Sequence, residues 1–201
     1  MTRLVVVDHG AGNLVSIAQG LIASGAEVEI SADPRTIKTA EGVVLPGVGA
    51  TASVMEGIEK AGLTETLRTL EVPVLGICVG MQVLFDTSEE DDALCLGVIP
   101  GVVQKLDDTP RLPHIGWNDV DGSHQLFTGT DRIFYFVHSF APIPDDPAVI
   151  AGLTDYDEVF VSAVASSNYY GVQFHPERSG PAGLRLLANF VSLCAEVPVV
   201  A

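Results

Sequence analysis

Residues 72–80 read Val72-Pro73-Val74-Leu75-Gly76-Ile77-Cys78-Val79-Gly80, a short apolar run that closes on a cysteine set between glycines. A run of this length predicts a buried strand over residues 72–77, and the spacing of residues 79–86 is compatible with a helix. Cys78 therefore stands at a strand-turn-helix junction. Gly76 and Gly80 let the chain pack closely there and adopt torsions that side chains resist. The junction is an elbow of the kind that presents a nucleophile, with Cys in the place of Ser.

Outward from the elbow, the first half of the chain alternates short apolar runs with amphipathic stretches. Residues 4–7, 28–30 and 43–45 read as strands, and residues 14–24 carry a helical pattern, with a further helix after residue 45. This is the rhythm of a parallel sheet covered by helices. From Gly97 onward the pattern turns β-rich, over residues 98–106, 133–137, 159–164 and 169–174, with Pro, Gly and Asp turns between, which predicts antiparallel pairing. A last amphipathic helix over residues 182–194 should pack back on the sheet, leaving residues 196–201 as a loose tail. The expected fold is α/β: one domain over residues 1–201, with a mixed, largely parallel central sheet flanked by helices. No repeat or linker forces a boundary.

The composition excludes more than it identifies. With 26 Asp and Glu against 10 Lys and Arg, the formal charge is −16, which repels phosphate backbones and argues against general nucleic-acid binding. Mean hydropathy is +0.36, yet no apolar run approaches the roughly 18 residues of a spanning helix. Residues 1–8, MTRLVVVD, enter a strand pattern without a secretory cleavage site, so a soluble, cytoplasmic protein is expected. Cys78, Cys95 and Cys194 show no C-x-x-C pairing, and an H-E-x-x-H or P-C-x-x-C is missing, so neither disulfide nor metal is expected.

Cys78 reads either as a buried strand cysteine or as a nucleophile activated by the free N–H groups and dipole of the following helix. A nucleophile needs a base. His175 lies in Gly171-Val172-Gln173-Phe174-His175-Pro176-Glu177, at a strand end where Pro176 favours an extended His175. Residues two apart in extended chain face the same way, so Glu177 can hold the imidazole as the third member of a triad. The alternative is a His and a Glu on a solvated face. Pro46-Gly47-Val48-Gly49 joins a strand to a helix, either as a plain turn or as a source of a backbone N–H facing the thiol. Gly10-Ala11-Gly12 fits a dinucleotide loop poorly, because Val15 stands where the third glycine belongs.

Taken together, PGVG (46–49), GICVGMQ (76–82) and GVQFHPERS (171–179) resemble the class I (triad) glutamine amidotransferases, over nearly the whole chain. DHGAGNLVS (8–16), LFDTSEE (84–90), LGVIPG (96–101), RLPHIGWN (111–118) and YFVHSF (135–140) resemble one branch of that family, the glutaminase subunits of imidazole glycerol phosphate synthases. The resemblance implies a flavodoxin-like fold in which Cys78, His175 and Glu177 hydrolyse L-glutamine through a thioester. Val48 and Val79 would supply the oxyanion N–H groups, with Gly47, Gly49, Gln82, Glu90, His138, Ser139 and Phe140 around the substrate. A carboxylate such as Glu90 can pair with the substrate ammonium, though it could equally be one acid of a solvated run. The resemblance further implies a heterodimer with a barrel-shaped cyclase subunit that consumes the ammonia in histidine biosynthesis, and no cofactor. Asn13, Arg111, Pro113, Ile115, Trp117, Tyr135 and Arg178 would lie at the docking face, although Trp117 and Tyr135 could be ordinary core residues. Arg178 stands where lysine is usual. The competing expectations are a glutaminase for another synthase, of pyridoxal phosphate or anthranilate type, and a non-catalytic interaction module. Several such relatives carry GHQ where this chain has Gly80-Met81-Gln82.

Overall fold

The computed structural model describes residues 1–107 and 111–196. In chain order these form β1 (Arg3–Val7), α1 (Leu14–Ala23), β2 (Glu27–Ser31), α2 (Pro34–Lys38), β3 (Gly42–Gly47), α3 (Thr51–Lys60), α4 (Thr64–Arg68), β4 (Val74–Cys78) and α5 (Val79–Gln82). There follow β5 (Thr87–Ser88), β6 (Ala93–Leu94), β7 (Gly101–Lys105), β8 (His114–Asp119), β9 (Asp121–Gly122), β10 (Ile133–His138), β11 (Phe140–Pro144), β12 (Ile150–Asp155), β13 (Val159–Ser166), β14 (Tyr169–Val172) and α6 (Gly180–Glu196).

The main sheet has the order β2-β1-β3-β4-β14-β13-β12-β9. Its first five strands are parallel and the remainder antiparallel. The division follows the sequence patterns. β3 and β4 are buried along their whole length, as uninterrupted apolar runs between two helix layers must be. β2 exposes Glu27 and Glu29, charges suited to a sheet edge. α1 buries Ile17, Ala18 and Leu21, and α6 buries Leu186, Leu187, Phe190 and Cys194, each on one helical face. α1 and α6 pack together on the same side of the sheet.

Two smaller sheets sit beside the main one, β11-β7-β5-β6 and the ribbon β10-β8. They account for one departure from expectation. Residues 79–86 are helical only as far as Gln82, because the carbonyls of Val83, Leu84, Phe85 and Asp86 accept N–H bonds from residues 95–99 instead of continuing a helix. The last helix runs longer than expected, through Glu196, and the rest of the expected loose tail, 197–201, lies outside the described residues. Among the described residues, no helix is long and apolar enough to cross a membrane.

Candidate active site

Three strands that are distant in sequence end side by side. β3 closes on Gly47, which pairs with Cys78 at the end of β4, and β14 pairs with β4 on its other side and leads directly into His175. The crevice outside the carboxyl ends of parallel strands is where such sheets place their ligands. Here it is a cleft of about 190 Å³ lined by Val48, Gly49, Cys78, Val79, Gln82, Glu90, Val137, His138, Ser139, Phe140, His175 and Arg178.

The elbow has the torsions expected of it. Cys78 sits at φ 55° and ψ −116°, a conformation that costs a residue with a side chain about 1–3 kcal/mol. The surrounding backbone enforces it through glycines. A Cβ on Gly80 would lie 1.9 Å from the Leu45 carbonyl oxygen, and one on Gly76 would lie 2.4 Å from the Gly80 carbonyl oxygen. Val79, as the first residue of α5, has no intrahelical acceptor for its N–H, and it borders the cleft. The helix behind it is a single turn, so its dipole contributes less than a full-length helix would. Buried His9 donates from Nε2 to the Pro46 carbonyl at 2.6 Å, tying residues 8–16 to the β3 end.

His175 is held at the β14 end from several directions. Its N–H donates to the Tyr135 carbonyl at 2.9 Å, and its own carbonyl accepts the Ser179 hydroxyl at 2.6 Å. Its φ of −102° and ψ of 94° are extended, as a residue before proline should be. Pro176–Arg178 then forms a 3₁₀ turn, so Glu177 reaches the imidazole by a tight bend and not by continued extension. His175 Nδ1 donates to Glu177 Oε1 at 2.9 Å, with the two side chains only 7% and 1% exposed. This leaves Nε2 as the nitrogen available to Cys78 across the cleft that both line, while the Cys78 Sγ itself lies 3.9 Å from the Val137 carbonyl oxygen. Burial by itself would lower the His175 pKa, but the neighbouring Cys78 sulfur and the hydrogen-bonded Glu177 carboxylate outweigh it and raise it to about 10. The imidazolium is thus the favoured form beside the sulfur.

Of the residues expected around a glutamine, Gly49, Gln82, Glu90, His138, Ser139 and Phe140 line the cleft, and Gly47 lies just beneath it. Glu90 is not a freely solvated acid. Its Oε2 accepts from the Thr51 N–H at 2.8 Å and the Thr51 hydroxyl at 2.9 Å, at the start of α3. His138 belongs to a chain whose tautomers follow from its ends. Its Nδ1 donates to the Phe140 carbonyl at 2.9 Å, so its Nε2 accepts from His114 Nδ1 at 3.2 Å. His114 Nε2 then faces the Asn118 amide at 3.4 Å. His114 and Asn118, two residues that the sequence reading did not place at the site, thereby brace the cleft from the inner face of the ribbon.

The ribbon's outer face carries the residues expected at a docking surface. Trp117 pairs with Tyr135 and Ile115 with Val137. Trp117 is 58% exposed and Ile115 59%, so Trp117 is not a core residue. The Arg178 guanidinium lies 4.3 Å from the Tyr135 ring centre, a cation–π contact between this face and the cleft. Arg111, Pro113 and Ile115 line a shallow hollow with Tyr156, and Asn13 is exposed at the start of α1, which packs against the turn bearing Arg178. The other two cysteines are remote from this chemistry. Burial, then the charge of Asp86, pushes the Cys95 thiol up to about 11, and burial, then Glu41, pushes Cys194 up to about 12.

A cysteine elbow, a buried His–Glu pair and strand-end placement on a mixed α/β sheet define the triad amidotransferases, and the family model for glutamine amidotransferase class-I matches residues 5–194. The chain belongs to that family. Among its relatives, imidazole glycerol phosphate synthase subunit HisH of Dehalococcoides mccartyi is 44% identical over 94% of this chain and 97% of that protein. The subunit of the same name from Nitrosomonas europaea is 43% identical over 95% and 98%. The structure of PurLQS from Thermotoga maritima shares the fold at 18% identity, with a TM-score of 0.71 over 96% of this chain and 99% of that one.

Proposed function

We propose that this chain is the glutaminase subunit of an imidazole glycerol phosphate synthase, hydrolysing L-glutamine to glutamate and ammonia in the cytoplasm and passing the ammonia to a cyclase subunit. The observation that carries the reaction is the Cys78–His175–Glu177 constellation at the ends of adjacent strands, with the imidazolium form of His175 favoured. Glutamine binds with its ammonium toward Glu90 and its amide carbon over Cys78. The sulfur attacks that carbon, and the oxygen's developing charge is met by the N–H groups of Val48 and Val79. His175 gives its proton to the leaving nitrogen, so ammonia departs and a glutamyl thioester remains. Water, deprotonated by His175 Nε2, then cleaves the thioester, releasing glutamate and the Cys78 sulfur and leaving His175 protonated again. Glu177 accepts from Nδ1 throughout and keeps Nε2 toward the sulfur.

The near-full-length relatedness to HisH subunits and the exposed Ile115–Trp117 face support the cyclase as the partner. The test is glutamine turnover by the purified chain with and without the cyclase subunit and its nucleotide substrate. Turnover should be low alone and should rise when both are added. Cys78→Ala should abolish synthesis from glutamine while synthesis from ammonium salts continues. Surviving glutamine use would remove Cys78 as nucleophile, and docking to a different synthetase would remove the assignment to this branch.

A further inference from the structure

The sulfur of Cys78 has a polar neighbour that is neither His175 nor a backbone group. Gln173 is fully buried, and its Nε2 lies 3.7 Å from Cys78 Sγ. The orientation of this amide follows from its surroundings. Gln82 Nε2 lies 3.0 Å from the Phe140 carbonyl, which can only accept, so the Gln82 amino group faces that way. Its second hydrogen points to the other oxygen in reach, Gln173 Oε1, at 3.1 Å. With its oxygen occupied by Gln82, Gln173 must turn its own N–H toward the sulfur. Gln82 lines the cleft and Gln173 does not.

We propose that Gln173 is a positioning residue for the nucleophile: its amide, locked by Gln82 and the Phe140 carbonyl, directs an N–H at Cys78 Sγ, holding the sulfur in its attacking position and favouring the thiolate. The proposal rests on Cys78 being the nucleophile. An N–H donor aimed at a buried sulfur stabilises the anion more than the thiol, since hydrogen bonds to charged acceptors are the stronger ones. The single-turn α5 supplies little dipole, so the amide provides a directed donor where the helix is short. The lock also joins recognition to reactivity. The Gln82 amide that borders the substrate is the group that orients the Gln173 amide against the sulfur. The titratable and charged groups that line the cleft with the sulfur are His175, backed by Glu177, together with His138, Glu90 and Arg178.

Gln173→Met keeps the length and removes the N–H. Two readouts separate positioning from simple packing: glutamine kcat and KM in the complex with the cyclase, and the pH profile of Cys78 alkylation by iodoacetamide in the full chain, followed by peptide mapping. The expected result is a kcat loss of about tenfold with KM within about twofold, and an alkylation profile moved up by about one pH unit. Gln173→Glu keeps the shape, places a negative charge by the sulfur when ionised, and should move the profile in the same direction. It serves as the reading if the methionine variant does not fold. An unmoved profile in a folded variant, or a loss confined to KM, overturns the proposal. Cys78→Ala is run in parallel. If it retains glutamine turnover, the nucleophile assignment itself has failed. If it is inactive while Gln173→Met and Gln173→Glu behave as the native chain, only the role of Gln173 has failed.

Discussion

His138 and His175 face the same cleft and take different charge states in it, the first neutral and the second cationic. Burial lowers the His138 pKa to about 3, against a weaker opposing bond to the Phe140 carbonyl, and burial lowers that of its partner His114 to about 4. Both rings are neutral in the fold, as their one-directional donor chain requires. His175, against the lowering effect of its burial, is instead raised to about 10 by the neighbouring Cys78 and Glu177. The consequences for stability have opposite signs. The unfolded histidines take up protons near 6.5, which folded His114 and His138 refuse, so their contribution is lost as pH falls from 6.5 toward 4. The His175 contribution is fully present below 6.5 and is lost as pH rises toward 10. Urea midpoints should therefore peak near neutrality and fall on both sides, at about pH 5 and about pH 9. His114→Phe, which keeps a ring against Tyr156 and Phe136, should flatten the acid side. An acid limb unchanged in that variant would show that the histidine pair does not set it.

At the scale of elements, the cleft depends on how closely β3, β4 and α5 approach. Gly80 touches the Leu45 carbonyl, and a Cβ on Gly47 would lie 2.4 Å from the Gly80 nitrogen. These contacts involve backbone, which cannot step aside as a flexible side chain can. Gly80→Ala should cost about 3 kcal/mol of stability by urea denaturation, through overpacking and a displaced elbow. A variant as stable as the native chain would mean that the elbow can relax. The elbow and the β14 end were legible from sequence because glycine spacing and the His-Pro-Glu order have local causes. The length of α5 was not. Residues 83–86 have helical spacing, but their carbonyls are taken by residues 95–99, a competition that no local pattern reveals. Gln173 was closer to legible, since it stands two residues before His175 at a strand end, where alternation turns both to the same side.

Across the whole molecule, the β8–β10 ribbon links two surfaces. Its inner face holds Phe134, Phe136 and His138 against the core, and its outer face presents Ile115, Trp117 and Tyr135. Exposed aromatic side chains on a formed strand are strong candidates for binding energy, because they bury large area at little entropic cost. Under the proposed function, Trp117→Ala should weaken binding of the proposed cyclase subunit by about tenfold to a hundredfold in a calorimetric titration, while changing the chain's own stability by no more than about 0.5 kcal/mol. An unchanged affinity would place the docking surface elsewhere. The sequence by itself determined the fold class, the cysteine elbow, the order of parallel and antiparallel strands and the family, because apolar periodicity, turn residues and short motifs act over a few residues. Only the tertiary structure decided that Gly47, Cys78 and His175 end on neighbouring strands, that Trp117 faces outward, that Glu90 caps α3 and that His114 and Gln173 stand behind the cleft. Those facts depend on strand register and on which buried donor finds which acceptor, and both are fixed by packing between segments far apart in the chain.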